Sequence, residues 1–229
     1  MSEKAVSREF GTGPLAKGSA LVYTLLVTEC LFLLTTVPSL MLLLLLDHSA
    51  GNLPLDALCL LPVGPAASAA LYALHKRQSD LGDLTPAKAF WRGYRLNAGG
   101  ALKVFAPWLL VMTMVAMTLA HRATSHLPGW WVALLLVIAL IATLWLANAL
   151  VITSLFAFRT VDIARLAAWF LGRTALATLG NVGIGVAAAI VTAYGTEALT
   201  VLAGSIICLL LLSNGSKMIA LVHKDFVAA

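Results

Sequence analysis

LPVGPAASAALYALHKRQ, residues 61–78, begins as a membrane-spanning helix and ends in a basic cluster. Yet Pro62, Gly64 and Pro65 interrupt it. A helical proline removes a donor and frees the carbonyl four residues back. Pro62 is thus expected to free the carbonyl of Leu58, and Pro65 that of Leu61. Inside a bilayer such groups need packed neighbours, hydroxyls, water or a ligand. Two readings stand. The break forms a solute or ion site, as discontinuous helices do in many transporters, or it kinks the helix to fit a packed bundle. The residues that follow are small. Gly64 to Ser68 and Ala66 to Ala70 are small-x-x-x-small pairs, which let helix backbones approach closely.

The rest of the chain has the same character. Its 229 residues are 61% hydrophobic and 11% charged, whereas a soluble domain carries about 25% charged residues. Six apolar runs are long enough to span a bilayer as helices: Ala20–Leu46, Leu53–Leu74, Gly100–Ala120, Trp130–Phe158, Thr174–Tyr194 and Glu197–Val222. The expected fold is all-α: one polytopic membrane helix bundle over residues 1–229, with a kinked second helix. Single kinks are also expected at Pro38 and Pro107. The first run is too long for a signal peptide. Of 15 Lys and Arg residues, all but Arg122 fall on one side of these runs, from Lys4, Arg8 and Lys17 to Lys217 and Lys224. Short basic loops stay cytoplasmic, so both termini are expected inside. The basic balance implies anionic headgroups as neighbours, and no nucleic acid.

The loop between the second and third runs has its own pattern. Thr85 and Pro86 form a helix start. Lys88, Arg92 and Arg95 then share one face, while Phe90, Trp91 and Tyr94 cluster on the other. This predicts a short helix lying in the headgroup plane or docking a partner. The loop between the fourth and fifth runs, TVDIARLAAWFLGR, predicts a helix from Thr160. Sliding one loop by 78 residues aligns Ala89 with Ala167, Trp91 with Trp169 and Arg95 with Arg173, a faint repeat. The fifth run carries Gly180, Gly183, Gly185 and Ala187–Ala189, which predict close packing there too.

Within the spans, Glu29 is the one deep acid, and an intramembrane carboxylate is a functional hypothesis by default. Asn148, Asn181 and Asn214 fall at comparable depth and predict a hydrogen-bonded layer with it. Lys103, whose long side chain reaches inward, is the expected partner of Glu29. The layer either sets helix register or serves transport. Asp56, near the outer surface, is expected in water. Cys30, Cys59 and Cys208 read as small buried apolar residues rather than disulfides or metal ligands. His48, His121 and His126 lie outside at no established metal spacing, and His75 and His223 fall on the inner side. There is no phosphate-binding Walker motif and no paired acids or His dyad within the bilayer. No enzyme activity, metal or cofactor is expected.

The stretches Leu61-Pro62-Val63-Gly64-Pro65-Ala66, Ala70-Leu71-Tyr72 and Ala89-Phe90-Trp91-Arg92-Gly93-Tyr94-Arg95-Leu96-Asn97 together resemble the YesL-like family of small bacterial membrane proteins. The agreement in order and spacing covers about 54–110. LDHSAGNLPLDALC, between the first two runs, is longer and more polar than the family's usual turn. The resemblance implies a bacterial plasma-membrane protein accompanying carbohydrate uptake systems of the ABC type. The expected function is therefore a non-enzymatic accessory or regulatory subunit, docking permease subunits through residues 85–97, Asn97 included. The alternatives are a stand-alone small-solute or proton-coupled transporter around Glu29, and a structural assembly protein.

Overall fold

The computed structural model describes residues 14–47, 49–79, 85–122, 128–194 and 202–227. Lys4, Arg8, His48, His126, Glu197 and the side chain of Lys17 lie outside the described residues. The described chain is helical: α1 (Pro14–Leu45), a 3-10 turn (Ala50–Asn52), α2 (Leu53–Leu60), α3 (Val63–Ser79), α4 (Pro86–Ala120), α5 (Gly129–Leu155), α6 (Thr160–Arg173), α7 (Ala175–Tyr194), α8 (Gly204–Asn214) and α9 (Ser216–Val222), closed by a π turn (His223–Val227). Among the described residues, five segments are long and apolar enough to cross a membrane, with α2 and α3 counted as one across their break. The last expected span is not straight. Gly204–Asn214 and Ser216–Phe226 meet at 57° and make a sixth only if the bent pair acts as one. The bend falls at Gly215, whose N–H donates to the Leu211 carbonyl at 2.8 Å.

The opening stretch finds its answer in α2 and α3. The Leu61 N–H donates to the Leu58 carbonyl at 3.2 Å, and the Gly64 N–H to the Leu61 carbonyl at 3.3 Å. Both carbonyls expected to be orphaned are therefore taken up by bonds spanning three residues, which tighten the turn at Leu61–Pro62. Pro38 and Pro107, where kinks were expected, are carried inside the continuous α1 and α4.

Helix α3 is the centre of the bundle, in contact with α1, α4, α5 and α8. Ala66, Ser68, Ala69, Ala70, Leu71, Ala73 and Leu74 are all buried. A helix with four neighbours needs small side chains on several faces, since in lipid the drive is close packing rather than apolar transfer. Gly64 lies against Phe105 so closely that a Cβ there would stand 2.6 Å from the ring. Gly93 of α4 meets Tyr72 of α3 the same way, at 2.8 Å. The outer surface is apolar, with Leu45, Leu134, Leu176 and Leu179 among many exposed side chains. Such a surface requires lipid around it.

Three packing expectations are corrected. The helix expected over 85–97 is not separate from the third span. Residues 86–120 are one helix of 35 residues, about 50 Å long at 1.5 Å per residue. This exceeds the hydrocarbon thickness of about 30 Å, so α4 has length to project beyond it. Contact with Tyr72 and a bond from Asn97 Nδ2 to the Ser154 carbonyl (3.0 Å) hold its first turns against α3 and α5. The glycine run of α7 turns outward. Gly183 and Gly185 are exposed with no atom within 4 Å of an added Cβ, and only Gly180 meets another helix, at Asn214. All three cysteines are free, but Cys30 is exposed rather than buried.

Candidate functional site

The inward face of α1 carries Thr24, Thr28, Phe32, Thr36 and Ser39, all buried. Their spacing, mostly four residues, puts them on one helical face. Thr24, Thr36 and Ser39 donate to carbonyls of their own helix at 2.7–2.8 Å. Glu29 lies beside this stripe, 9% exposed. Its Oε2 accepts the backbone N–H of Ser205 at 2.6 Å. Ser205 is the second residue of α8, so the carboxylate caps that helix from another span. A negative group there meets a free N–H and the positive end of the helix dipole. Gly204 adjoins the site, where an added Cβ would stand 2.9 Å from the Phe32 ring.

This arrangement replaces the expected pair with Lys103. That side chain is exposed, and the bond of Glu29 goes to a backbone amide. A lysine entering α4 gains more by keeping its ammonium in water or headgroups than by crossing apolar packing. The second carboxylate oxygen, Oε1, is buried without a hydrogen-bond partner, as is the neighbouring Thr28 hydroxyl.

The three asparagines do meet. Asn214 Nδ2 donates to Asn181 Oδ1 at 2.8 Å and to the Ala177 carbonyl at 2.6 Å. Asn181 Nδ2 donates to Asn148 Oδ1, and Asn148 Nδ2 to the Ala167 carbonyl, both at 3.4 Å. The ladder ties α8, α7, α5 and α6 together. It is separate from the Glu29 cap in its bonding. The single layer expected along the sequence is thus two polar connections. A third, from Ser154 Oγ to Ser68 Oγ at 2.9 Å, joins α5 to α3. Hydrogen bonds between membrane helices average about 0.6 kcal/mol and reach about 1.7. Asn214→Leu removes two of them and is expected to cost about 1–2 kcal/mol. Thermal unfolding of purified protein in detergent measures it, and an unchanged midpoint would contradict the ladder.

The basic helix start of α4 is also resolved into faces. Lys88, Trp91, Arg92, Arg95 and Leu96 are exposed and line one open groove of about 720 Å³. Phe90, expected to share a docking cluster with Trp91 and Tyr94, is completely buried. It belongs to the core, and Tyr94 is half-buried. Trp91 instead shares the basic face, because residues three and four apart are neighbours on a helix. The corresponding positions of α6 behave alike. Ala89 and Ala167 are buried, and Trp91 and Trp169 are exposed. Arg173 lies over the Trp169 ring, 4.5 Å from its centre.

Among the described residues, no group of three or more His, Cys, Asp or Glu is placed to hold a metal ion. The sequence reading missed the Thr24–Thr28–Thr36–Ser39 stripe and the serines at 154 and 205, and took Ser68 as a small packing residue only. The repeating four-residue interval in α1 was the available signal. No family model, no curated protein and no solved structure matches the chain.

Proposed function

We propose that the protein is a non-enzymatic accessory or regulatory subunit of a membrane assembly. It crosses a bacterial plasma membrane six times with both termini inside, the bent pair α8–α9 forming the sixth span. The observation carrying this reading is the contrast between its interior and its basic face. Most interior polar groups are consumed in bonds within or between helices: the Glu29 cap, the asparagine ladder, the Ser154–Ser68 pair and the bonds of Thr24, Thr36 and Ser39 inside α1. Lys88, Trp91, Arg92, Arg95 and Leu96 remain exposed on one face of α4. Aromatic and arginine side chains are enriched where proteins meet. The partner class, permease subunits of a carbohydrate ABC transporter, comes from the YesL-like resemblance alone.

Trp91→Ala/Arg92→Ala/Arg95→Ala is expected to reduce partner recovery at least about tenfold, since such anchors cost more than about 1 kcal/mol each when truncated. The check is purification of the tagged protein from its own cells in gentle detergent, with mass spectrometry of co-purifying chains. Permease subunits in near-equal amount with the wild type, and their loss with the triple variant, support the reading. A wild-type protein that comes out alone overturns it.

A second reading has one observation in its favour. Glu29 Oε1 and the Thr28 hydroxyl are buried side by side in sequence without partners. Unsatisfied buried polar groups in a span are costly and tend to be functional. They fit a small-solute or proton-coupled transporter, which would show flux in liposomes holding this protein alone.

A further inference from the structure

Another groove lies away from Glu29 and from the basic face of α4. It runs between the start of α7 and the bend at Gly215, with a volume of about 840 Å³. That is within the range of about 300–1,000 Å³ found for ligand sites. Two cations border it: Arg173, at the end of α6, and Lys217, in the first turn of α9. Among the described residues that line it there is no acid. Ser213 and Ser216 also line it, as do the apolar residues Ile184 and Leu210. Arg173 is not free to wander, because its guanidinium rests on Trp169 at 4.5 Å. Stacking of this kind orients the planar donor group.

We infer that this groove holds one anionic glycerophospholipid, its headgroup phosphate between Arg173 and Lys217 and an acyl chain along Ile184 and Leu210. The charge pattern selects the occupant. Two cations without a counter-charge at one end, followed by apolar wall inside a membrane-spanning bundle, match the phosphate-then-hydrocarbon order of a lipid. Basic pockets between membrane helices take anionic headgroups for this electrostatic reason. A soluble peptide would leave the apolar wall unmatched, and a neutral lipid would leave the two cations without a net counter-charge. The inference is independent of the docking reading above.

The test uses the full chain in detergent micelles doped with phosphatidylglycerol or phosphatidylcholine, with bound lipids counted by native mass spectrometry. Wild type is expected to retain one phosphatidylglycerol with roughly 30-fold preference over phosphatidylcholine, the effect of two basic groups. Arg173→Gln/Lys217→Gln should lose that preference, while Arg173→Lys/Lys217→Arg keeps it. Arg165→Gln/Lys224→Gln removes the same charge away from the groove and should also keep it. Leu210→Trp fills the groove without touching its charge and should reduce retention, which keeps the test decisive if the glutamine pair fails to fold. Equal retention of both lipids by wild type, or full preference in the glutamine pair, would overturn the inference. So would displacement by soluble glycerophosphoglycerol, which would mean a headgroup site without a lipid chain.

Discussion

Gly64→Ala is expected to destabilise the protein by about 1–3 kcal/mol, the usual cost of overpacking a core, and Gly64→Leu to reach the top of that range or beyond. The cause is local. A Cβ at position 64 would stand 2.6, 2.8 and 2.9 Å from three atoms of Phe105. The obstacle is the Cβ and ring of a buried aromatic, not the end of a flexible chain, so relief requires α3 and α4 to separate. These two helices form the central contact of the bundle, and the strain would spread to every neighbour of α3. Phe105→Ala removes the ring, though not the Cβ at 2.8 Å, at its own large cost of about 3–5 kcal/mol. The pair Gly64→Ala/Phe105→Ala should then lose less than the sum of the two single variants, because the ring contacts are gone. Unfolding midpoints in one detergent for the four proteins give the coupling directly. Additive losses would mean that Gly64 is not there to admit the ring, and the packing account of the broken helix would fail.

The second large effect lies at Glu29. Glu29→Leu leaves the buried Ser205 N–H without its acceptor and removes a charge from the start of α8. An unsatisfied buried donor costs about 1–3 kcal/mol, and the lost interaction with the helix dipole about 0.3–1 more. Glu29→Gln keeps an acceptor oxygen in place and loses only the charge. The expected order of stability is wild type, then Gln, then Leu. Hydrogen exchange at residues 204–208 should report the same order locally, because the cap closes the first turn of α8. A Leu variant that melts and exchanges like wild type would remove the cap from the account. Liposome flux separates the two functional readings on the same variants. A transporter working through Glu29 loses flux in Glu29→Gln while the variant stays folded. A subunit whose carboxylate only holds α8 shows no flux in wild type either.

Much of the fold could be read along the chain, because a bilayer imposes length and polarity on each span separately. The apolar runs, the helix from Thr160, the helix start at Thr85–Pro86 and the tight small-residue helix after Pro65 all follow from local rules. The meeting of the three asparagines was also legible, since their depth can be counted from the ends of the runs.

What local rules do not contain is which way each face turns. In water the core-facing side of a helix is marked by apolar residues. In lipid both sides are apolar, since hydrocarbon tails and neighbouring helices are alike to a leucine. The tertiary structure therefore decided that Phe90 points inward and Trp91 outward. It decided that Gly64 meets a ring, while among the described residues nothing stands within 4 Å of a Cβ added at Gly183 or Gly185. It decided that residues 86–120 form one helix, held by contacts at Tyr72 and Ser154 that lie elsewhere in the chain. It also gave Glu29 a backbone amide from residue 205 in place of the lysine expected to reach inward to it. A charge in a span takes the partner that closes a buried vacancy, and the unpaired N–H at the start of α8 exists only once that helix has formed beside it.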